Sequence, residues 1–207
     1  MANAMAMVAG GLRTRSGGIL AREVAAPGAF ILAALTSSYA MSGLPNVKLL
    51  DLLVLVAAYT LGLRRGATVA AGTWLVYASF NPWGPTHATL LVTQLVGASA
   101  FVLAGVLLHR LLPPGKVSLR PSVATPLFIA AALAGTLAFD VVTNLYTGYH
   151  WAVISGGEYS RWIWLALTSP GTLLFMAVHV GSNAMLFPVF GPLLVKAADH
   201  AKQRWGW

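Results

Sequence analysis

Six long apolar segments dominate this sequence and limit the folds open to it. They run approximately over 26–43, 46–63, 66–80, 87–112, 123–146 and 171–195. A helix needs roughly 20 predominantly apolar residues to cross the hydrocarbon core of a membrane. The second segment contains two charges and the third is short, so these two are marginal. The turn between them, GLRRG, is tight and predicts that they form a helical hairpin. The segments predict an all-α fold, a polytopic membrane protein built as a bundle of six transmembrane helices.

The composition agrees with a membrane protein. Charged residues make up 9% of the chain, whereas a soluble domain has about 25%, and the mean hydropathy is +0.74. The 207 residues are enough for one bundle without a separate soluble domain. We therefore predict a flexible cytoplasmic segment over 1–25, a six-helix transmembrane domain over 26–198, and an amphipathic cytoplasmic tail over 199–207.

The chain has a net charge of +8, and the distribution of its basic residues predicts how it is oriented in the membrane. The basic residues lie in short connections and tails, where an excess marks the cytoplasmic side. With six spans and both termini inside, eleven of the 13 basic residues are cytoplasmic, and only Lys48 and Arg161 are outside. The pattern lacks the basic surface, interleaved with aromatic residues, that nucleic-acid binding requires. We predict contact with a lipid bilayer and no nucleic-acid partner.

Two ionisable residues interrupt otherwise apolar segments. Asp140 and His179 are each followed four positions later by an asparagine, Asn144 and Asn183, which lies on the same helical face. Ionisable groups at membrane depth are costly and usually mark a functional site. This duplicated polar face is therefore the first candidate site.

Further residues fall at a similar depth. The helical rise places Gln94, Asp140 and His179 roughly 9–12 Å below the outer ends of their segments. Asn81 and Trp83 lie above this layer, and Trp151 belongs to the outer connection over 147–170, the longest predicted loop. A pocket opening outward would use these groups for binding. The alternative is that they only bond to one another and hold the bundle together.

Two other patterns have a structural and a functional interpretation. Lys48 and Asp51, three positions apart, are interpreted as a local ion pair at a helix start. Ala29, Ala33 and Ser37 continue a stripe of small residues along the first segment, which either packs inside the bundle or docks another helix. The loop over 147–170 is either an aromatic belt at the interface or a lid.

Motifs for chemistry are missing from the sequence. It has no GxxxxGK[ST] phosphate loop, no HExxH and no GxSxG motif. The five histidines are dispersed and there is no cysteine, which disfavours a transition-metal site. We predict no catalytic residues, no metal and no cofactor, so the chain is not expected to be an enzyme.

The order of several segments resembles the substrate-binding S components of energy-coupling factor (ECF) vitamin transporters. The resemblance covers about residues 26–195 and depends on PNVKLLDLLVLVAAYTLGLRRG, FNPWGP, FDVVTNLYTG and HVGSNAMLFPVFGP. It implies a subunit in a prokaryotic plasma membrane that captures a vitamin or related micronutrient from outside. It also implies partners, a transmembrane scaffold and cytoplasmic ATPases that drive import.

The resemblance also assigns residues. The AxxxA motif that contacts the scaffold corresponds to Ala29 and Ala33, and the pocket candidates include Asn81, Asp140 and His179. Two alternatives remain: an ion-coupled small-solute permease that uses Asp140 and His179 as a relay, and a non-transporting membrane scaffold whose outer cavity would be collapsed.

Overall fold

A computed structural model describes residues 21–205 of the chain. Among these residues every regular element is helical, with no β-strand. A π-helical turn, Ala21–Ala25, precedes the first α-helix, and a 3₁₀ turn, Pro114–Lys116, lies between the fourth and fifth. The α-helices are α1 Ala26–Ala40, α2 Leu50–Leu61, α3 Leu63–Ser79, α4 Ala88–Leu111, α5 Ala124–Ser155, α6 Tyr159–Thr168 and α7 Pro170–Trp205. Most of the predicted N-terminal segment, 1–20, and the end of the tail, 206–207, lie outside the described residues.

Helix α2 forms the centre of the bundle. Its sequence, LDLLVLVAAYTL, is apolar on every side apart from Asp51 and Thr60, and all of its residues are buried. A helix that is hydrophobic all round needs neighbours on all sides. Helices α1, α3, α4 and α7 supply them.

The α2–α3 hairpin turns at one residue. Gly62 ends α2 with φ +86°, a conformation that side chains with a Cβ rarely adopt, and α3 begins at the next residue. The sequence predicted a tight helical hairpin at GLRRG, and the structure confirms it.

Glycines also allow the helices to approach closely. A Cβ atom built on Gly105 of α4 would collide with the Leu55 carbonyl oxygen of α2 and lie 3.0 Å from the Ala58 Cβ. A Cβ on Gly66 of α3 would lie 2.5 Å from the Ala58 Cα. Ala58 is therefore packed between α3 and α4, and larger residues at these two glycines would separate the helices.

Three helices are long and apolar enough to cross a membrane, namely α4, α5 and α7, within residues 21–205. Helix α2 is apolar but shorter. Six of the helices, all except α6, fall on the six predicted segments. The crossing of all six and the position of the termini stay predictions.

The prediction of a long outer loop over 147–170 is wrong, because most of this range is helical. Helix α5 continues to Ser155, α6 covers Tyr159–Thr168, and α7 begins at Pro170. Nothing between Tyr146 and Ser155 interrupts a helix strongly, and α5 ends where Gly156 adopts φ +66°. The predicted end near Tyr146 was placed by hydropathy, which does not detect a helix that continues beyond its apolar part.

The C-terminal tail belongs to the same helix as the sixth segment. Helix α7 contains Pro188 and Pro192 and runs without a break past residue 198. Near its end, the Lys202 ammonium donates to the Thr60 carbonyl of α2 over 3.5 Å. The described part of the tail is thus attached to the central helix.

Candidate functional site

A cavity of about 620 Å³ lies at one end of the bundle. Its walls come from the connection between α1 and α2, the connection between α3 and α4, and the adjoining parts of α3, α4, α5 and α7. Pockets for small ligands have volumes of about 300–1,000 Å³. This cavity is therefore large enough for a small organic molecule.

Six of the eight predicted site residues line this cavity: Asn81, Trp83, Gln94, Asp140, Asn144 and Trp151. The other two, His179 and Asn183, are buried beside it and do not line it. The structure thus brings together residues that lie far apart in the sequence. Binding of a substrate by these residues stays a prediction.

His179 joins two carboxylates in what we call the histidine cluster, Asp51, Asp140 and His179. Its Nδ1 lies 2.7 Å from Asp140 Oδ1, and its Nε2 lies 2.9 Å from Asp51 Oδ2. The exposed fraction is 1% for His179 and 0% for Asp51. Of the three, Asp140 alone lines the cavity, so it connects the cluster to any molecule bound there.

Asn183 supports the cluster from the next turn of α7. Its side-chain amide donates to Thr136 Oγ1 over 2.9 Å and, more weakly, to Asp51 Oδ2 over 3.4 Å. Both Asn183 and Thr136 have no exposed surface. Asn183 therefore has a positioning role in this structure, and its predicted place in the pocket wall is not observed.

The interpretation of Lys48 and Asp51 as a local ion pair is wrong. Asp51 points into the bundle and bonds to His179 and Asn183. Lys48 lies on the cavity wall, and its Nζ is 4.9 Å from the centre of the Trp74 ring. The sequence did contain a signal for this contact. Asp51 is a single carboxylate on a helix without a polar face, and a buried carboxylate needs a hydrogen-bond partner on another element.

Several cavity-lining side chains carry polar atoms without a hydrogen-bond partner among residues 21–205. They are Trp74 Nε1, Gln94 Oε1 and Asp140 Oδ2. A buried polar atom left unpaired costs about 1–3 kcal/mol. These three atoms have almost no accessible surface, so they lie behind the cavity wall and do not face a molecule bound in it.

The part of the chain that the structure describes contains no group of three or more His, Asp or Glu placed to hold a metal ion. In the histidine cluster both ring nitrogens already face carboxylate oxygens at hydrogen-bond distance. The geometry is that of a hydrogen-bonded cluster.

The small-residue stripe of α1 faces away from the bundle. Ala29 and Ala33 are exposed, and Ser37 is half-buried with its hydroxyl donating to the Ala34 carbonyl. The exposed positions exclude internal packing for both alanines. Docking of another helix on this stripe stays a prediction.

The fold and the cavity together define a class: an all-helical protein with at least three helices able to cross a membrane and, at one end, a cavity with both polar and apolar walls. No protein family model, no curated protein and no solved structure matches the chain. Any narrower assignment therefore depends on the cavity and its residues.

Proposed function

We propose that this chain is a membrane-embedded substrate-binding subunit of an ECF-type importer, which captures a micronutrient-sized solute from outside. The observation that carries the proposal is the cavity of about 620 Å³, lined by six residues that the sequence had marked as binding candidates. A non-transporting scaffold would need no such cavity. The resemblance to S components supports the same function.

In this function the cavity would open to the outside, and the basic connections would face the cytoplasm. The connections over 41–49 and 80–87, which border the cavity, would face outward, and the basic connection over 112–123 would face the cytoplasm. All six long segments would cross the plasma membrane, with both termini inside. The solute would enter the cavity from outside and be held by the polar groups and aromatic rings of its wall.

Release to the inside would depend on partners. The sequence has no phosphate-loop motif, so the energy would come from cytoplasmic ATPases acting through a transmembrane scaffold. The exposed Ala29 and Ala33 support docking of that scaffold, because small residues let two helices approach closely in lipid.

A cavity-filling variant tests the binding function. Asn144→Trp places a large side chain on the cavity wall, whereas Ser99→Trp, at an exposed position of α4, leaves the cavity unchanged. Native mass spectrometry should detect the same retained small molecule in the wild type and in Ser99→Trp, and none in Asn144→Trp. Equal retention by all three proteins would contradict the proposed site.

The partner requirement has a separate test. Ala33→Trp should abolish co-purification of the scaffold and ATPases while leaving solute binding intact, and Ser99→Trp should change neither. Uptake should require the partner complex and ATP. ATP-independent uptake by the purified chain in vesicles would contradict this division of labour.

An ion-coupled permease is the second candidate, because the histidine cluster places two carboxylates and an imidazole in the bundle interior. Buried groups of this kind form proton relays in transporters. This candidate predicts that the chain alone takes up solute in vesicles when a proton gradient is applied. Asp140→Asn should abolish that uptake.

A further inference from the structure

The geometry points to the class of solute: an organic acid, with its acid group bound at Lys48. This inference deepens the proposed function and depends on it. It rests on one basic group without a hydrogen-bond or ion-pair partner among residues 21–205, and on the charges of the cavity wall.

The basic group is Lys48. Its Nζ lies 4.9 Å from the ring centre of Trp74, 5.8 Å from that of Tyr77 and 5.9 Å from that of Phe139. Within residues 21–205 the ammonium makes no hydrogen bond and no ion pair within 4.0 Å. The aromatic rings attract the cation through their faces but accept none of its protons in a normal hydrogen bond.

An acid group on the solute would complete this arrangement. A lysine ammonium has three N–H donors and no acceptor, and its bonds to a carboxylate are charge-assisted and roughly twice as strong as neutral ones. The nearby rings exclude water from one side of the ammonium, which strengthens its attraction for an anion. The cavity wall at Lys48 therefore favours an oxyanion.

Asp140 opposes a second acid group on the solute. Its Oδ1 is hydrogen-bonded to His179, which fixes the carboxylate in place, and the side chain lines the same cavity as Lys48. A solute with one acid group therefore fits this wall better than a dicarboxylate, because like charges repel.

The charges of the cavity wall also restrict the solute. Among the residues that the structure describes, Lys48 is the one basic side chain and Asp140 the one acidic side chain that line the cavity. A purely cationic solute would face Lys48 without compensation, and an uncharged solute would leave the ammonium unpaired. Like-charge contacts and unpaired groups are what discriminate between similar ligands.

A binding experiment with matched compounds tests the inference. The purified protein is dialysed against a defined library in which each small organic acid, with or without an amine, is accompanied by its primary amide and by the corresponding compound without the acid group. Mass spectrometry of the protein compartment measures enrichment. We expect enrichment of one or more acids, with the matched amide bound at least about tenfold more weakly.

Three variants complete the design. Lys48→Met should bind the enriched acid at least about tenfold more weakly and should no longer distinguish the acid from its amide, whereas Lys48→Arg should keep the preference. Lys116→Met removes an exposed lysine outside the cavity and should behave as the wild type. Equal thermal unfolding temperatures would show that Lys48→Met is folded.

The results distinguish a failure of the solute class from a failure of the binding function. Enrichment only of amides or of compounds without the acid group, or of acids to the same extent in the wild type and Lys48→Met, would overturn the solute class while leaving a binding protein. No enrichment of any library member, together with no retained molecule in native mass spectrometry, would overturn the proposed function itself.

Discussion

The protons of the histidine cluster can be counted from its two contacts. His179 places Nδ1 2.7 Å from one carboxylate oxygen and Nε2 2.9 Å from another. An ionised carboxylate only accepts hydrogen bonds, so each contact must hold a proton. Three groups thus share two protons, one more than a neutral imidazole carries. The added proton offsets part of the negative charge of Asp51 and Asp140.

Removal of the imidazole should therefore be costly. His179→Ala leaves two buried carboxylates without the group that neutralises them, and we expect a loss of about 3–5 kcal/mol in the free energy of unfolding. His200→Ala, at an exposed position of α7, should stay within about 0.5 kcal/mol of the wild type. Denaturant unfolding in detergent micelles measures both variants.

Removing the charges as well should restore stability. The triple variant that adds Asp51→Asn and Asp140→Asn to His179→Ala has no buried charge in the cluster, so it should regain a large part of the loss. If His179→Ala unfolds like the wild type, or if the two asparagines add to the loss, the cluster does not hold the charges inferred here.

The sequence predicted part of this cluster. Asp140 and His179 each interrupt an apolar segment, so their cost in lipid marked them. Asp51 was missed because it lies near a predicted helix start, where Lys48 offered a partner three positions away. The rotation of α2, which turns Asp51 inward and leaves Lys48 on the cavity wall, depends on packing against four neighbouring helices. A single helix pattern does not contain that information.

The contact between α2 and α4 depends on a glycine, Gly105, which has no side chain at the point where the two helices meet. A Cβ at Gly105 would collide with the Leu55 carbonyl oxygen, which belongs to backbone and cannot turn away. Gly105→Ala should therefore lower the free energy of unfolding by about 1–3 kcal/mol.

Gly28 is the matched control for that substitution. It lies in α1 and a Cβ there would meet no atom within 4 Å. Gly28→Ala should be neutral or stabilising by up to about 1 kcal/mol, because alanine loses less backbone entropy in a helix. Equal effects of the two substitutions, measured by denaturant unfolding, would contradict close packing of α2 on α4.

A pH-dependent contact joins the start of the chain's described part to α3. Arg65 Nη2 donates to Glu23 Oε1 over 2.5 Å, and this hydrogen bond, together with the charge of Arg65, lowers the pKa of the Glu23 carboxyl from its ordinary value of 4.5. Because the pKa is lower in the folded state, the ionised Glu23 stabilises the fold at pH values above the ordinary pKa of the carboxyl. This contribution is lost as the pH falls through the lowered pKa of the folded state.

Glu23→Gln should therefore unfold at a slightly lower temperature than the wild type at neutral pH. The two proteins should converge in acid, and also at about 1 M salt, because both groups are partly exposed and salt screens them. Scanning calorimetry at several pH values provides the comparison. A difference that persists at about pH 2, well below the ordinary carboxyl range, would exclude this ion pair as its cause.

The sequence located some helices and missed others. Hydropathy located the six apolar segments, and Gly62 marked the α2–α3 hairpin, because a glycine between two apolar runs allows a sharp reversal. Hydropathy did not detect the last turns of α5 or the whole of α6, whose Trp162 packs edge-to-face with Trp151 of α5. Those residues include exposed polar positions, so an average of hydropathy does not reveal that they are helical.

The orientation of the bundle in the membrane can be tested independently of any solute. The chain contains no cysteine, so a single introduced thiol is the only site for a maleimide reagent. Gly43 and Gly115 form a matched pair, because both lie in connections and a Cβ at either would meet no atom within 4 Å. They lie on opposite sides of the membrane in the proposed topology.

Gly43→Cys should react with a membrane-impermeant maleimide added to intact cells, since the α1–α2 connection borders the cavity that we place outside. Gly115→Cys should react only after the cells are made permeable, because the basic α4–α5 connection is expected in the cytoplasm. Labelling of Gly115→Cys alone would invert the bundle and make the cavity a cytoplasmic one. Labelling of both in intact cells would mean that α4 does not separate the two connections, although it is the most apolar of the three long helices.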